Sequence, residues 1–387
     1  MYLASPRMPD ATTPAVFAGI PNKNPSLFRR IRVALGDPAA WIELPEGGIA
    51  IVRDIEMERV RHRSKAEKVY CPADYEPDEK LDADRETATA QAVAEFCRRQ
   101  QITAARVDRT LPYLFAWQLQ KSGVELTYDP DLGVLDRRQK TEEEIELLAA
   151  AQSVTENVMQ KICETIAGCD AASDGTLMLE GSVLTSERTR AMAAAEFLAR
   201  DYSMSHGAIV ATAPHVADCH HSGEGPLRTG VPIVVDLFPM NNQTRYWGDC
   251  TRTVVHGEPS DTVQRMHQAV IAAKTAATEQ LRVGQTAESV HLAAIDALLA
   301  AGFESSRGSV SDNPTIQHGT GHGIGLDVHE PILLDNGGGP LLEREVFTIE
   351  PGLYGRHDGG VRVEDMLVVR NGAAQNLNML HEGLDWK

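Results

Sequence analysis

Four acidic side chains and one imidazole sit on short apolar runs in the second half of the chain. They are Asp236 in PIVVDLF, Asp249 in YWGDCTRT, His322 in HGTGHGIG, Glu350 in VFTIEPGLY and Glu364 in GGVRVEDMLVV. A folded core cannot gather that many carboxylates unpaired, because buried charges either neutralise or force the structure open. Two divalent cations would balance the charge, so the pattern reads as a dinuclear metal site. Oxygen-rich coordination with one imidazole suits Mn(II), Co(II), Zn(II) or Fe(II).

Other motifs narrow the chemistry. His318 and His322 are four apart, but H-E-x-x-H is absent, and Pro331 follows Glu330, which excludes a zincin helix there. The glycines at 319, 321, 323 and 325 alternate and do not fit a dinucleotide loop; they let backbone pass close to the metal site. Arg362, two residues before Glu364, is a candidate partner for the metal-bridging carboxylates.

The elements that must position these groups follow from periodicity. In the first part, helices are expected over 28–35, 87–99 and 111–121. Strands are expected near Trp41 and Ile49, and over 102–107 and 124–128. This is a small α/β domain, 1–140, closed by the polar stretch LDRRQKT. Thr141 with Glu144 three residues on then starts a long helix as a capping box. The second domain, 141–387, runs helix, helix, strands twice. Helices near 142–166 and 187–201 lead to strands near 207–212, 231–238 and 246–256. Helices near 261–282 and 286–301 lead to strands near 345–350 and 361–369, with Gly284 and Gly302 as helix C-caps. Asp236 and Asp249 thus fall on one strand pair, and Glu350 and Glu364 on another.

A net charge of −18 over 387 residues disfavours nucleic acid and anionic membrane surfaces as partners. No run approaches a membrane span, and Pro and Asp interrupt the first twenty residues where a signal peptide needs an apolar stretch. Six cysteines without a C-x-x-C pair read as free thiols, hence a cytoplasmic protein.

HGTGHGIGLDVHE, TIEPGLY and GVRVED, together with the ligand order Asp, Asp, His, Glu, Glu, resemble the creatinase/aminopeptidase P/prolidase group, the pita-bread metallopeptidases of peptidase family M24. The likeness is strong over about 140–387 and weaker before. It implies an α/β (α+β) fold, with a C-terminal pita-bread catalytic domain behind a smaller creatinase-like one. It implies that Asp249 and Glu364 bridge two metals, Mn by preference. Asp236 would chelate one of them, while His322 and Glu350 complete the other. Glu350 would shuttle the proton, and His329, His318 and His220 (or its neighbour His221) would be the active-site histidines.

The activity implied is hydrolysis before proline by an Xaa-Pro dipeptidase, with Xaa-Pro aminopeptidase as the alternative. A creatinase-like amidinohydrolase and a non-catalytic binding relative rank below these. A small peptide with proline second is the expected substrate, and a homodimer the expected assembly. Two features depart from the pattern. Leu237 and Phe238 follow Asp236 where a glycine is usual, and the Asp236–Asp249 spacing is longer than usual. A dipeptidase should also hold its substrate's free carboxylate, yet LLDNGGGPLLE carries no Arg; Arg344 and Arg356 are the nearest.

Overall fold

The computed structural model describes residues 12–307 and 309–386; residues 1–11, half of the stretch read against a signal peptide, lie outside them. The chain forms two compact units that divide between Arg137 and Arg138. No helix among the described residues is long and apolar enough to cross a membrane.

In the first unit, alternating side chains build a six-stranded mixed sheet. Its order is Ala66–Tyr70, Gly47–Ile51, Ala39–Leu44, Ala15–Gly19, Ala104–Val107, Glu125–Tyr128. Val16 and Ala18 face Val93 and Phe96 of the helix Arg85–Arg99, while Ala15 and Phe17 face Leu27 and Ile31 on the other side. The central strand Ala15–Gly19 escapes a periodicity reading because it is buried on both faces and so does not alternate. The edge strand Ala66–Tyr70 escapes it for the opposite reason, since it is largely solvated.

The helix expected over 28–35 runs instead over Pro25–Ile31. The Asn24 side chain caps it, Pro25 opens it, and Arg32 in the left-handed region ends it. On the helix Arg85–Arg99, the buried Glu95 accepts hydrogen bonds from Arg98 and Arg99 at 2.6 to 2.7 Å.

The units divide three residues ahead of the expected 140/141. The supposed linker is anchored in the second unit: Arg138 pairs with Glu345, and Lys140 Nζ donates to Glu330 at 2.9 Å with both side chains buried. The Thr141–Glu144 capping box starts the helix Glu142–Ala167. Its apolar stripe, through Ala151, Val158, Met159 and Ile162, packs under the antiparallel strands Ala208–Ala211, Pro232–Leu237 and Cys250–Val255. A second layer sets the helices Asp261–Gln280 and Ala287–Ala300 against Phe347, Ile349, Leu353, Val361 and Leu367. Fully burying each such side chain contributes roughly 1.5–3 kcal/mol. Gly302 lies just past the cap of the second helix, whereas Gly284 lies in a turn beyond the first, whose cap is Leu281.

The strand expected near 345–350 is Val346–Ile349, with the unexpected Gly352–Gly355 after it, and the one expected near 361–369 falls into Gly359–Arg362 and Asp365–Val368. Val346–Ile349 pairs with Asp365–Val368 in one sheet, and Gly352–Gly355 pairs with Gly359–Arg362 in another. Ile349 faces Asp365 and Gly352 faces Arg362, so both pairs share one register and form a single bent hairpin. Glu350 and Glu364 fall opposite each other in the break.

The strand Gly321–Gly323 pairs alongside Val346–Ile349 and was not expected from the sequence. A Cβ on Gly321 would lie 1.9 Å from the Thr348 carbonyl oxygen, and one on Gly323 would lie 2.8 Å from that of Glu330. Those glycines therefore let the backbone of a neighbouring strand approach.

Gly321→Ala should cost about 1–3 kcal/mol by overpacking and lower both the melting temperature and divalent-cation affinity. Wild-type values for both would refute the packing argument. In the first unit, hydrogen bonding to Arg98, with Arg99 adding to it, holds the Glu95 carboxyl down at about 2 despite some opposing desolvation. Its contribution is full above the ordinary 4.5 and disappears as pH falls through about 2. Glu95→Gln should lower the urea midpoint at neutral pH, and the gap to wild type should narrow between those two values. A gap independent of pH would exclude the ion pair.

Candidate metal centre

Each of the five donors sits at a strand or a strand end. Asp236 is inside Pro232–Leu237, paired across from Thr251. Asp249 immediately precedes Cys250–Val255, and its backbone is clamped by Gln152: Asp249 N donates to Oε1 at 2.9 Å, and Nε2 donates to Asp249 O at 2.6 Å. His322 lies on Gly321–Gly323, with its N–H held by Thr348 Oγ1 at 3.1 Å. Glu350 and Glu364 occupy the break in the hairpin.

The fold brings all five to one cavity of about 540 Å³. Donor atoms of Asp249, His322 and Glu364 lie within 4.8 Å of one another. His322 Nε2 is 3.6 Å from Asp249 Oδ2 and 3.7 Å from Glu350 Oε1. Two donors each about 2.1 Å from one cation can be no more than about 4.2 Å apart, so both contacts fit a shared ion. Asp236 Oδ1 is buried without a hydrogen-bond partner, as a ligand atom would be.

Arg362 is the counter-charge. Its Nη2 donates to Asp236 Oδ2 at 2.6 Å, Nε to Thr251 Oγ1 at 3.1 Å, and Nη1 to Tyr354 OH at 2.9 Å. Its ion pairs are with Asp236 and, at 3.9 Å, Glu350. The expectation that it would serve Asp249 and Glu364 is corrected on this point: Thr251 Oγ1 holds Glu364 instead, at 2.8 Å, because it projects from the strand next to that carboxylate. Thr251, Tyr354 and Gln152 were not singled out in the sequence. Thr251 was within reach, being two residues from Asp249 and so on the same strand face.

One guanidinium does not balance four carboxylates. Burial, then the charges of Glu364, Asp236 and Glu350, push the Asp249 carboxyl well above the carboxylate range. Burial, then Glu350 and Asp236, do the same to Glu364. Burial raises Asp236 against the pull of Arg362 and, with help from Asp236, raises Glu350 to about 7. Burial, then His329, holds His322 down at about 3, leaving a neutral imidazole with a lone pair to give. The donor set therefore suits cations in place of protons.

The remaining histidines separate clearly. His318 Nε2 bonds Tyr354 OH and Nδ1 bonds Gly319 O, each at 2.7 Å. The His329 ring meets His322 edge-on, with centroids 4.2 Å apart. His220 lines the cavity, whereas His221 stacks on His215 at 4.7 Å. Arg344 and Arg356 do not line it; they bond Lys140 O and Asp312.

Comparison with known proteins gives the family of the chain. The profile described as Metallopeptidase family M24 matches residues 146–371. The "Probable dipeptidase PepE" of Mycobacterium tuberculosis is 36% identical over 197 residues, 49% of this chain and 50% of that protein. The chain thus spans about half the length of that relative. An "Xaa-Pro dipeptidase" of Pyrococcus horikoshii is 29% identical over 276 residues, covering 70% of this chain and 72% of its own. The crystal structure of the prolidase from Pyrococcus horikoshii OT3 superposes with a TM-score of 0.75 at 21% identity, over 97% of this chain and 96% of that one.

A divalent cation should raise the melting temperature by relieving the crowded carboxylates. The gain is about 2.7 kcal/mol at one hundred times the dissociation constant, and a chelator should reverse it. Calorimetric melts that ignore both additions would rule the cluster out as a cation site.

Proposed function

The chain belongs to metallopeptidase family M24, and on that premise we propose that it is a two-metal exopeptidase hydrolysing the Xaa-Pro bond of dipeptides. The observation that carries this reading is the convergence of Asp236, Asp249, His322, Glu350 and Glu364 on one cavity beside four further histidines, His206, His220, His318 and His329. Mn(II) is the proposed metal. When bound, the cations polarise the carbonyl and acidify a water.

The chain's own groups do the rest. Asp236, Asp249, His322, Glu350 and Glu364 would hold the cations, with Asp249 and Glu364 shared between the two, Asp236 given to one, and His322 and Glu350 to the other. Glu350, opposite Glu364 and half-buried, takes the proton from the attacking water and delivers it to the leaving nitrogen. His329 and His220 face the cavity and donate to the carbonyl oxygen as it gains charge. His318, fixed by Tyr354, is a neutral imidazole, held at about 3 by burial and then by Arg362. Arg362 orients Asp236 and opposes the rise in its pKa that burial causes. The same reading makes the protein a homodimer in a reducing compartment, and six unpaired cysteines support the latter.

The second reading, an Xaa-Pro aminopeptidase, is favoured by one observation. Neither Arg344 nor Arg356 reaches the cavity to meet a free carboxylate.

Mn(II)-loaded enzyme is expected to release proline from Ala-Pro and to leave Ala-Pro-Ala largely intact; efficient removal of Ala from the tripeptide would establish the aminopeptidase instead. Glu350→Ala should keep its circular dichroism and lose at least about a hundredfold in turnover. Near wild-type turnover in that variant would sink the proton-transfer role.

A further inference from the structure

A dipeptidase must sense the free carboxylate one residue beyond the bond it cuts, since otherwise longer chains would bind equally well. This inference rests on the dipeptidase reading. Among the described residues lining the cavity, Arg362 is the one guanidinium, and no lysine is present. Arg362 is 3% exposed, and its donors are engaged by Asp236, Tyr354, Thr251 and Cys219 O. The wall away from the donors is apolar, with Ile209, Phe238, Val328 and Leu333. Asp335 also lines it and is paired with Arg307. A carboxylate entering this cavity therefore finds its partner among the imidazoles.

Of these, His322 belongs to the donor cluster and His318 has both ring nitrogens engaged. His220 lies 3.8 Å from Cys219 Sγ, and His329 packs edge-on against His322 beside the reacting centre. His206 remains. It lines the same cavity, is exposed, and lies near enough for its charge to act on His329. Its ring stacks on Trp247, with centroids 5.0 Å apart and planes 20° from parallel. Trp247 is itself fixed, Nε1 donating to Leu326 O and N to Gly325 O, each at 3.1 Å. The stack holds the imidazole by its face and leaves its nitrogen edge free to donate. A donor held in place beforehand loses little entropy on binding. Successive Cα atoms are about 3.8 Å apart, so a carboxylate one residue beyond a carbonyl at His329 falls within the same cavity, where His206 is the imidazole left to meet it.

We propose that His206, seated on Trp247, is the specificity residue that receives the C-terminal carboxylate of the dipeptide substrate.

The test compares Ala-Pro, Ala-Pro-amide and Ala-Pro-Ala with Mn(II)-loaded wild type, His206→Phe and His206→Arg. Phenylalanine keeps a flat ring on Trp247 and removes the N–H donor. Wild type should show a KM for Ala-Pro at least tenfold below that for the amide. His206→Phe should raise the Ala-Pro KM by about 10- to 100-fold, the worth of one hydrogen bond to a charged group. Its kcat should hold and its discrimination against the amide should vanish, while His206→Arg restores a low KM. Wild-type discrimination surviving in His206→Phe would overturn the anchor, and so would a wild type that treats Ala-Pro and its amide alike. Wild-type cleavage of Ala-Pro-Ala without cleavage of Ala-Pro would overturn the dipeptidase reading itself, a result read on the wild type alone.

Discussion

Three buried carboxylates and the half-buried Glu350 share one cavity with a single guanidinium, and that imbalance is the constraint on which the second unit is built. Arg362 can serve only some of them. It pairs with Asp236 and approaches Glu350, so Asp249 and Glu364 are left crowded and pushed towards protonation. An enclosed site of this kind either takes up protons or takes up cations. The neutral His322 beside Asp249 and Glu350 favours cations. Every secondary contact can be understood as limiting what these groups are free to do: Thr251 fixes Glu364, Gln152 fixes the backbone of Asp249, and Tyr354 joins Arg362 to His318.

The backbone meets this constraint through a bent hairpin. Register is continuous from Ile349–Asp365 to Gly352–Arg362, yet the two ends join different sheets. At the bend, Glu350 and Glu364 leave the ladder and stand opposite each other. A regular strand would send residues two apart to one face and leave no room for ions between. Gly321 brings the His322 strand closer to this hairpin than any side chain would allow. Lys140 and Glu330, a buried pair, tie the start of the second unit to the segment that carries His329.

Much of this was legible beforehand. The capping box at Thr141, the amphipathic helices and the five donors were all visible as local signals, since caps and periodicity are properties of neighbouring residues. The central strand Ala15–Gly19 was not, because burial on both faces erases alternation. Nor was the role of Lys140, which reads as part of a basic linker until its partner, Glu330, arrives from far along the chain. His206 gave no signal at all: nothing adjacent in sequence announces that Trp247 will lie beneath it.

The sequence by itself determined the chemistry available, namely which donors exist, in what order, and on which apolar runs. It also determined family membership, because the segments around His322, Glu350 and Glu364 are short and contiguous. Only the tertiary structure decided how charge is shared. Which carboxylate Arg362 takes, which of two adjacent histidines faces the cavity, and which imidazole stands free are matters of distances between remote segments. Coulomb coupling depends on the separation of the charges and the dielectric between them, and such distances are set by packing that no local pattern records.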